Sequence, residues 1–245
     1  MITISATPSY VADTLSIHVR NDGDEPAVNV QVSIDLQGIV RQSPMVEALH
    51  PGEAYRFPFA IDEREGVGTY AVAMLIEYSD ANLHPFSSPL VYLLRIGPAR
   101  RSEVFGSIDP TSISDEAALS LHLHNQGETA REVAVRFHGP RELPALEKEQ
   151  VVVLDPLGEE DITFHLRNFA ATPRSRYTIF AILTYEADGL LFASFARGEV
   201  EVVLPSRFLS PRLWTGLGLL LVIVATITVW RRTRRSSAQE LDAHR

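Results

Sequence analysis

The chain has no cysteine among its 245 residues. This absence excludes disulfide bonds, thiolate metal sites and a cysteine nucleophile. Basic residues are also in the minority, because 22 lysines and arginines stand against 31 aspartates and glutamates and leave a formal net charge of −9. A nucleic-acid-binding protein needs a clustered basic surface that displaces phosphate counterions, so we expect no nucleic acid as a general partner.

The sequence also lacks the short motifs of common active sites. It contains no glycine-rich phosphate loop, no His-Glu-x-x-His pair and no Gly-x-Ser-x-Gly elbow. No nucleophile and base emerge as a pair, so we predict a protein that is not an enzyme and that binds no cofactor. An enzyme whose catalytic domain is encoded upstream of residue 1 is the alternative.

What the chain does contain is an internal repeat. Residues 15–23 read LSIHVRNDG, and residues 119–127 read LSLHLHNQG. Apolar and polar residues alternate in both copies, which predicts a half-buried strand that ends at an Asn-x-Gly turn. Because asparagine tolerates the left-handed region and glycine accepts positive φ, we expect such backbone angles in this turn.

The two copies also agree at later landmarks. The proline-containing turn at 49–53 corresponds to 154–159, and the strand-like stretch at 68–78 corresponds to 175–185. Seven or so short strands per hundred residues, separated by turn signals, are typical of an antiparallel sandwich. We predict an all-β fold of two tandem Ig-like antiparallel β-sandwiches, at 1–97 and 98–205. The short linker at Gly97-Pro98 predicts a nearly end-to-end arrangement.

Two features of this repeat allow two interpretations each. Tyr70 and Tyr177 lie early in a late strand, where Ig-like folds use a tyrosine whose hydroxyl bonds back to the backbone, and an ordinary core aromatic is the alternative. The apolar residues at 85–86 and 190–192 lie next to turns. We expect them in the core, and as contact sites if they are exposed.

One long uncharged run, LWTGLGLLLVIVATITVW, occupies residues 213–230. An uncharged run of about 18 residues reaches the lower limit for a helix that spans a hydrocarbon core, and a buried core helix is the alternative. We predict a single C-terminal transmembrane α-helix at 213–230, between a connector at 206–212 and a basic tail at 231–245. The expected flanks of this membrane anchor are Trp214, Trp230, Arg231, Arg232, Arg234 and Arg235.

The arginines after this run set the expected orientation. Basic residues stay on the cytoplasmic side, so we predict a cytoplasmic C-terminus and extracytoplasmic sandwiches on a single-pass protein of the cell membrane. The first 15 residues have neither a basic n-region nor an apolar h-region. We therefore expect an export signal upstream of residue 1, and a reversed, tail-anchored orientation is the alternative.

His122 and His124 are the best candidates for a metal site, because side chains two apart on a strand share one face. The alternating leucines face inward, however, so we expect both histidines to be solvated and to bind no metal. The acidic residues Asp22, Asp24 and Glu25 have oxygens that suit calcium. A charged β-turn beside the glycine is the interpretation that we prefer for them.

Three motifs of the first copy together resemble a known family. They are Asn-Asp-Gly at 21–23, Leu-x-Pro-Gly-Glu at 49–53 and Gly-Thr-Tyr at 68–70. This set is similar to the CARDB type of bacterial and archaeal Ig-like domain, a cell-adhesion-related family. The resemblance covers about residues 1–205, and the second copy departs from it by an inserted Leu157 and by Ser-Arg at 175–176.

The resemblance implies spacers and binding modules of exported proteins, some of which accompany envelope transport systems, and it implies no catalytic residues. We therefore expect a non-catalytic, membrane-anchored extracytoplasmic protein. Its Ig-like domains are expected to bind a protein partner in the cell envelope, as an accessory component of an envelope or transport complex. The alternative is a structural stalk or adhesin fragment whose binding part lies upstream of residue 1.

Overall fold

The computed structural model describes residues 1–61, 66–97 and 101–204. Every regular element in these ranges is a β-strand, which confirms the predicted all-β class. No helix within these ranges is long and apolar enough to cross a membrane. The predicted connector, transmembrane helix and basic tail lie outside the described residues, and so do the six anchor flanks, Trp214, Trp230, Arg231, Arg232, Arg234 and Arg235.

The first sandwich, built from the described residues of 1–97, has one apolar core. Leu15, Ile17 and Val19 are fully buried, as their alternation with polar residues predicts. Its strands are β1 (Ile4–Val11), β2 (Thr14–Asn21), β3 (Ala27–Leu36), β4 (Ile39–Gln42), β5 (Val46–Leu49), β6 (Ala54–Ala60), β7 (Gly68–Ser79) and β8 (Pro85–Ile96).

The second sandwich, at 101–204, repeats this plan around a core of its own. Leu119, Leu121 and Leu123 are buried at the positions that the repeat predicts. Its strands are β9 (Val104–Ile108), β10 (Thr111–Ile113), β11 (Glu116–Asn125), β12 (Arg131–His138), β13 (Glu149–Leu154), β14 (Glu159–Arg167), β15 (Arg176–Ala187) and β16 (Leu190–Val202).

Each sandwich packs a three-stranded sheet against a larger one. In the first, β1-β2-β6 faces a sheet in which β3 pairs with β4, β5 and β7, and β7 pairs with β8. In the second, β9-β11-β14 faces β13-β12-β15-β16, with β10 parallel to β16. A single parallel bridge between Gly68 and Leu191 joins the two larger sheets, which therefore form one ten-stranded sheet.

A buried asparagine organises the Asn-x-Gly turn of the first sandwich. The Nδ2 of Asn21 donates to the carbonyls of Glu25 at 2.7 Å and Leu49 at 2.9 Å. Its Oδ1 accepts a hydrogen bond of 3.0 Å from the N–H of Gly23. The side chain is fully buried, so one amide takes the place of water for three backbone groups that the strand ends leave unpaired.

The second sandwich repeats this arrangement. The Nδ2 of Asn125 donates to the carbonyls of Thr129 and Asp155, each at 2.9 Å. Its Oδ1 accepts from the N–H of Gly127 at 3.0 Å, and the side chain is again fully buried. The two copies of the sequence repeat therefore form the same hydrogen-bonded turn around a buried asparagine side chain.

The glycine of this turn is favoured by close contacts and not by the predicted backbone angle. Neither Gly23 nor Gly127 has a positive φ, so that prediction was wrong. A Cβ on Gly23 would lie 2.3 Å from the carbonyl oxygen of Met1, and a Cβ on Gly127 would lie 2.4 Å from Oε2 of Glu103. Gly23 therefore leaves room for the backbone that enters β1, whereas the atoms nearest a Cβ on Gly127 belong to the side chains of Glu103 and Asn125.

The proline-containing turns do use positive φ. Gly52 has φ +81° in a turn closed by the 3.0 Å bond from Glu53 N to the His50 carbonyl. Leu157 has φ +53° in the matching turn, which Gly158 N closes on Asp155 at 3.0 Å. Leu157 therefore occupies the place of Gly52, and the expectation that it is an inserted residue was wrong.

Both candidate tyrosines bond back to the backbone. The hydroxyl of Tyr70 donates to the carbonyl of Gly66 at 2.8 Å. The hydroxyl of Tyr177 accepts from the N–H of Thr172 at 2.9 Å. Each partner lies a few residues upstream, so the tyrosine-corner interpretation is the correct one of the two.

The sandwiches differ in whether the outer edge of one sheet is covered by another segment. In the second, the segment 142–146 lies beside β14, with Leu146 N bonded to the His165 carbonyl at 2.8 Å and Arg167 N bonded to the Pro144 carbonyl at 3.0 Å. In the first, β6 pairs only with β2 among the described strands. A covered edge is closed to further strand pairing, whereas an unpaired edge is open to it.

We expect Asn125→Ala to lower the free energy of unfolding by about 2–3 kcal/mol, because buried backbone groups lose their partners. Chemical denaturation of the full chain measures this difference. Gln126→Ala is the matched control, since Gln126 is exposed in the same turn and should change stability little. Equal stability of the two variants would contradict the role given to the amide.

Candidate functional site

The histidine groove lies on the outer face of the sheet β9-β11-β14. It has a volume of about 430 Å³, and both His122 and His124 are partly exposed in it, as the inward-facing leucines predict. Its other lining residues are Phe105, Gly106, Ser107, Leu123, Glu159 and Asp161.

Two carboxylates hold the ring of His122. Its Nδ1 lies 2.6 Å from Oδ1 of Asp161 and its Nε2 lies 3.0 Å from Oδ2 of Asp109. The hydrogen bond to Asp109, followed by the one to Asp161, raises the pKa of His122 above its ordinary value. Only the imidazolium can donate from both ring nitrogens, so this arrangement favours the charged form.

This geometry limits the chemistry of the groove. Ser107 lies opposite His122 in the strand register, but both ring nitrogens are bonded to carboxylates and neither is free to accept the serine proton. Nδ1 of His124 lies 3.3 Å from Oε1 of Glu159, which is within ion-pair distance, but this nitrogen makes no hydrogen bond. Across the described part of the chain, no group of three or more metal-ligating side chains is arranged around one point.

The acidic turn of the first sandwich is held by local partners. Asp22 pairs with Arg20 at 2.9 Å and accepts from the hydroxyl of Ser5 at 2.5 Å. Asp24 and Glu25 both contact the amino group of Met1. These carboxylates point to different neighbours, which favours the charged-turn interpretation over calcium binding.

The apolar residues at 85–86 and 190–192 start strands β8 and β16. Phe192 is buried and stacks on Tyr185 with ring centroids 5.1 Å apart. Phe86 is only partly buried and stacks on Tyr78 at 5.7 Å. Leu191 contacts Gly68, where a Cβ would lie 2.8 Å from the leucine carbonyl oxygen. Phe192 is thus a core residue, Phe86, Leu190 and Leu191 are partly buried, Pro85 is exposed, and Leu191 joins the two sandwiches.

The two sandwiches meet through the outer faces of their larger sheets, and the predicted end-to-end arrangement was wrong. Ala73 and Val91 of the first sandwich pack against Phe180 and Ile182 of the second, and all four are buried. Met1–Leu204 forms one compact unit as a result. The contact forms because these strands carry apolar side chains on both faces, which a two-residue alternation does not reveal.

A buried carboxylate lies at the edge of this contact. Glu142 of the second sandwich is only 7% exposed, and its carboxylate accepts from the N–H of Ser87 at 2.9 Å and from the Ser87 hydroxyl. Arg141 pairs with Glu77 of the first sandwich at 2.7 Å. Burial, followed by the charge of Glu142, raises the pKa of Tyr78 to about 12.

His138 lies inside the same contact. Its Nε2 lies 2.9 Å from the carbonyl of Met74, to which the neutral ring donates. Burial outweighs this bond and lowers the pKa of His138 below its ordinary value. The other charged groups that act on the ring are Asp35 and Arg136, which pair with each other at 3.3 Å.

The two perturbed histidines should titrate on opposite sides of the ordinary value of 6.5. We expect the ring protons of His122 to shift at a midpoint above 6.5 and those of His138 below it, in one NMR titration of the full chain. His122→Asn and His138→Gln assign the two signals. A midpoint of His138 above that of His122 would contradict the geometry.

These shifts predict opposite effects on stability. The folded pKa of His138 is lowered, so its contribution is present above about pH 6.5 and is lost as the pH falls toward the folded pKa. The folded pKa of His122 is raised, so its contribution is present below about pH 6.5 and is lost as the pH rises through the folded pKa. Denaturation from pH 7 to pH 5 should therefore show a smaller loss of stability for His138→Gln than for the unmodified chain.

Comparison with known proteins adds only distant structural likeness. No family model matches the sequence, and no curated protein matches it. A mutant of Salmonella alpha-2-macroglobulin matches with a TM-score of 0.36 and 12% identity over 83% of this chain and 16% of that one. Native E. coli alpha-2-macroglobulin gives 0.34 and 10% over 83% and 17%.

Red sea bream transglutaminase matches with a TM-score of 0.27 and 8% identity, over 82% of this chain and 31% of that one. The chain thus spans less than a third of the length of each of these proteins. Similarity at this level supports no conclusion about activity, substrate or partner.

Proposed function

We propose that this chain is a non-catalytic, membrane-anchored extracytoplasmic protein whose two Ig-like sandwiches bind a protein partner in the cell envelope. In this role it serves as an accessory component of an envelope or transport complex. The CARDB-like character of the repeat and the transmembrane helix at 213–230 belong to the same proposal. Their support is the sequence alone: the repeated turn motifs and the uncharged run followed by arginines.

The observation that carries the binding role is the exposure of apolar side chains on the terminal strands of the ten-stranded sheet. On β4, Ile39 is 55% exposed and Val40 is 63% exposed. On β13, Val151 is 60% exposed and Val153 is 62% exposed. Proteins commonly protect such edges with charge, proline or a covering segment, and unprotected edges are sites where other chains add a strand.

The contact between the sandwiches supports this role further. Because β4 and β13 are the two ends of one sheet order, the packing of Phe180 and Ile182 on the first sandwich holds both edges in one body. A surface that is already rigid loses less conformational entropy when a partner binds. The fold therefore favours recognition by a preformed surface.

The geometry of the histidine groove supports the non-catalytic part. His122 lies opposite Ser107 in the strand register, but its two ring nitrogens are occupied by Asp109 and Asp161. With both nitrogens bonded to carboxylates, the ring has none free to accept the proton of a nucleophile.

We expect a fluorescent protein that matures only in the cytoplasm to be bright when it is fused after Arg245. In the same spheroplasts, added protease should cleave the sandwiches. Immunoblotting against each half measures the cleavage, and a cytoplasmic protein serves as the lysis control. A dark fusion with protected sandwiches would overturn the orientation and favour a tail-anchored protein with cytoplasmic partners.

We also expect a photo-crosslinking amino acid at Val40 or Val151 to form a discrete adduct with another protein in intact cells. The same group at Glu116, an exposed residue of the central strand β11, is the matched control and should form none. The stalk interpretation predicts no protein adduct from either edge. Absence of adducts at both edges would therefore remove the binding role.

A further inference from the structure

The hydrogen-bond pattern of β13 shows which of its backbone groups are unpaired. The N–H of Phe137 donates to the carbonyl of Lys148 at 3.3 Å, and the antiparallel register pairs Val133 with Val152. Bonded pairs alternate with non-bonded pairs along such a ladder, so Gln150, Val152 and Leu154 bond to β12. The N–H and C=O groups of Val151 and Val153 therefore point away from β12.

Nothing in the described residues occupies this outer edge, because β13 pairs only with β12. The side chains of Val151 and Val153 lie together on the outer face of the sheet, whereas Leu154 lies in the core. Free backbone groups and exposed β-branched side chains thus coincide at the same two residues. This combination is what an added strand requires.

Two carboxylates give this edge a charge preference. The register places Glu132 beside Val153, and Glu132 and Glu186 each lie two residues beyond the last pair of β12 and β15, which is Ala134 with Thr184. Both acids are exposed and line a groove of about 390 Å³ together with Val151 and Leu191. Like charges that face each other across a sheet are destabilising.

No described cation neutralises this acidic pair. Glu132 and Glu186 have no ion-pair partner among the described residues, and the nearest lining cation, Arg131, is already engaged. Arg131 pairs with Glu103 at 2.9 Å and lies over the ring of Tyr185 at 5.5 Å. The groove therefore offers an unmatched negative potential directly beside the free edge.

We propose that β13 binds an extended segment of a partner protein as an added strand, and that this segment carries a lysine or arginine two residues away from a β-branched residue. The β-branched side chain covers Val151, and the basic side chain passes over Val153 to Glu132, while Glu186 adds to the negative potential of the groove. The residue of the added strand that lies opposite Val153 is about 10 Å, or two strand spacings, from β12. The basic side chain of the partner and the side chain of Glu132 extend toward each other and span this distance. This inference rests on the proposed binding function and specifies the partner's chemistry.

A second copy of the same chain fits this edge poorly. Antiparallel self-pairing centred on Val151 places Glu149 opposite Val153 and Glu147 opposite Asp155. Self-pairing thus adds carboxylates to an edge that already has two unmatched ones, and each chain has a net charge of −9. Charge complementarity therefore favours a different, basic segment.

The test uses a fluorescein-labelled peptide, Thr-Val-Thr-Arg-Thr-Val-Thr, which presents valine, arginine and valine on one face in either strand direction. Fluorescence anisotropy with the full chain in mild detergent measures its binding. We expect the arginine peptide to bind at least about tenfold more tightly than the same peptide with glutamate at the central position. Glu132→Gln combined with Glu186→Gln should reduce this preference to less than about twofold.

Two further changes test the strand pairing itself. Val151→Pro removes an outward N–H while sparing the bonds to β12, so it should abolish binding of the arginine peptide. A peptide that is N-methylated at alternate residues should fail to bind the unmodified chain, which keeps the test valid if the proline variant does not fold. Glu116→Gln, a charge change on β11, should leave binding unchanged.

Equal binding of the arginine and glutamate peptides, or binding that survives both Val151→Pro and N-methylation, would overturn the proposal. A dimer of the full chain that Val151→Pro dissociates would also overturn it, since the occupant would then be a second copy. If peptide binding fails while the crosslink at Val40 persists in cells, only this inference falls. If both crosslinks are absent while the peptide binds, the proposed function falls instead.

Discussion

The packing of two sheet faces against each other, at Ala73, Val91, Phe180 and Ile182, is the contact on which the rest of the architecture depends. It needs small side chains on β7, because only a close approach allows Gly68 to lie against Leu191 and join the larger sheets. The contact also fixes the surroundings of its polar members. Glu142 accepts hydrogen bonds from the N–H and the hydroxyl of Ser87, and His138 donates to the carbonyl of Met74, so both buried polar side chains have partners inside the contact. Because these hydrogen bonds form in only one arrangement of the two sandwiches, the interface is geometrically specific in addition to being apolar.

Much of each sandwich was predictable from local patterns, and the reasons differ between features. Alternation found the core leucines of β11 because one face of that strand is solvated. The same rule missed the contact between sandwiches, although the sequence carries a signal for it. Residues 179–183 read IFAIL and are buried without a break, which is the pattern of a strand covered on both faces. The Asn-x-Gly turn was located correctly, but its physical basis was not, since crowding by Met1 and Glu103 is visible only in three dimensions.

The candidate sites show the same limit. His122 was identified from the sequence, but its partners Asp109 and Asp161 were not, because they come from β14 and from the chain after β9. Asp161 faces His122 across the register of β11 and β14, so a correct strand alignment would have predicted that pair. The acidic pair of Glu132 and Glu186 likewise requires the register of β12 and β15. Charged side chains of a β-protein interact mainly with side chains of neighbouring strands. The pattern of a single strand does not specify which strands are its neighbours.

The same buried contact has a consequence for biosynthesis. Ala73 and Val91 belong to the first half of the chain, whereas the residues that cover them, Phe180 and Ile182, lie roughly 100 positions later. At a translation speed of about 5–20 residues per second, the first sandwich leaves this apolar face uncovered for about 5–20 seconds. During that interval, other nascent chains and chaperones have access to this face. The order of the two repeats along the polypeptide therefore sets a period in which the apolar face of the N-terminal repeat is exposed to other molecules.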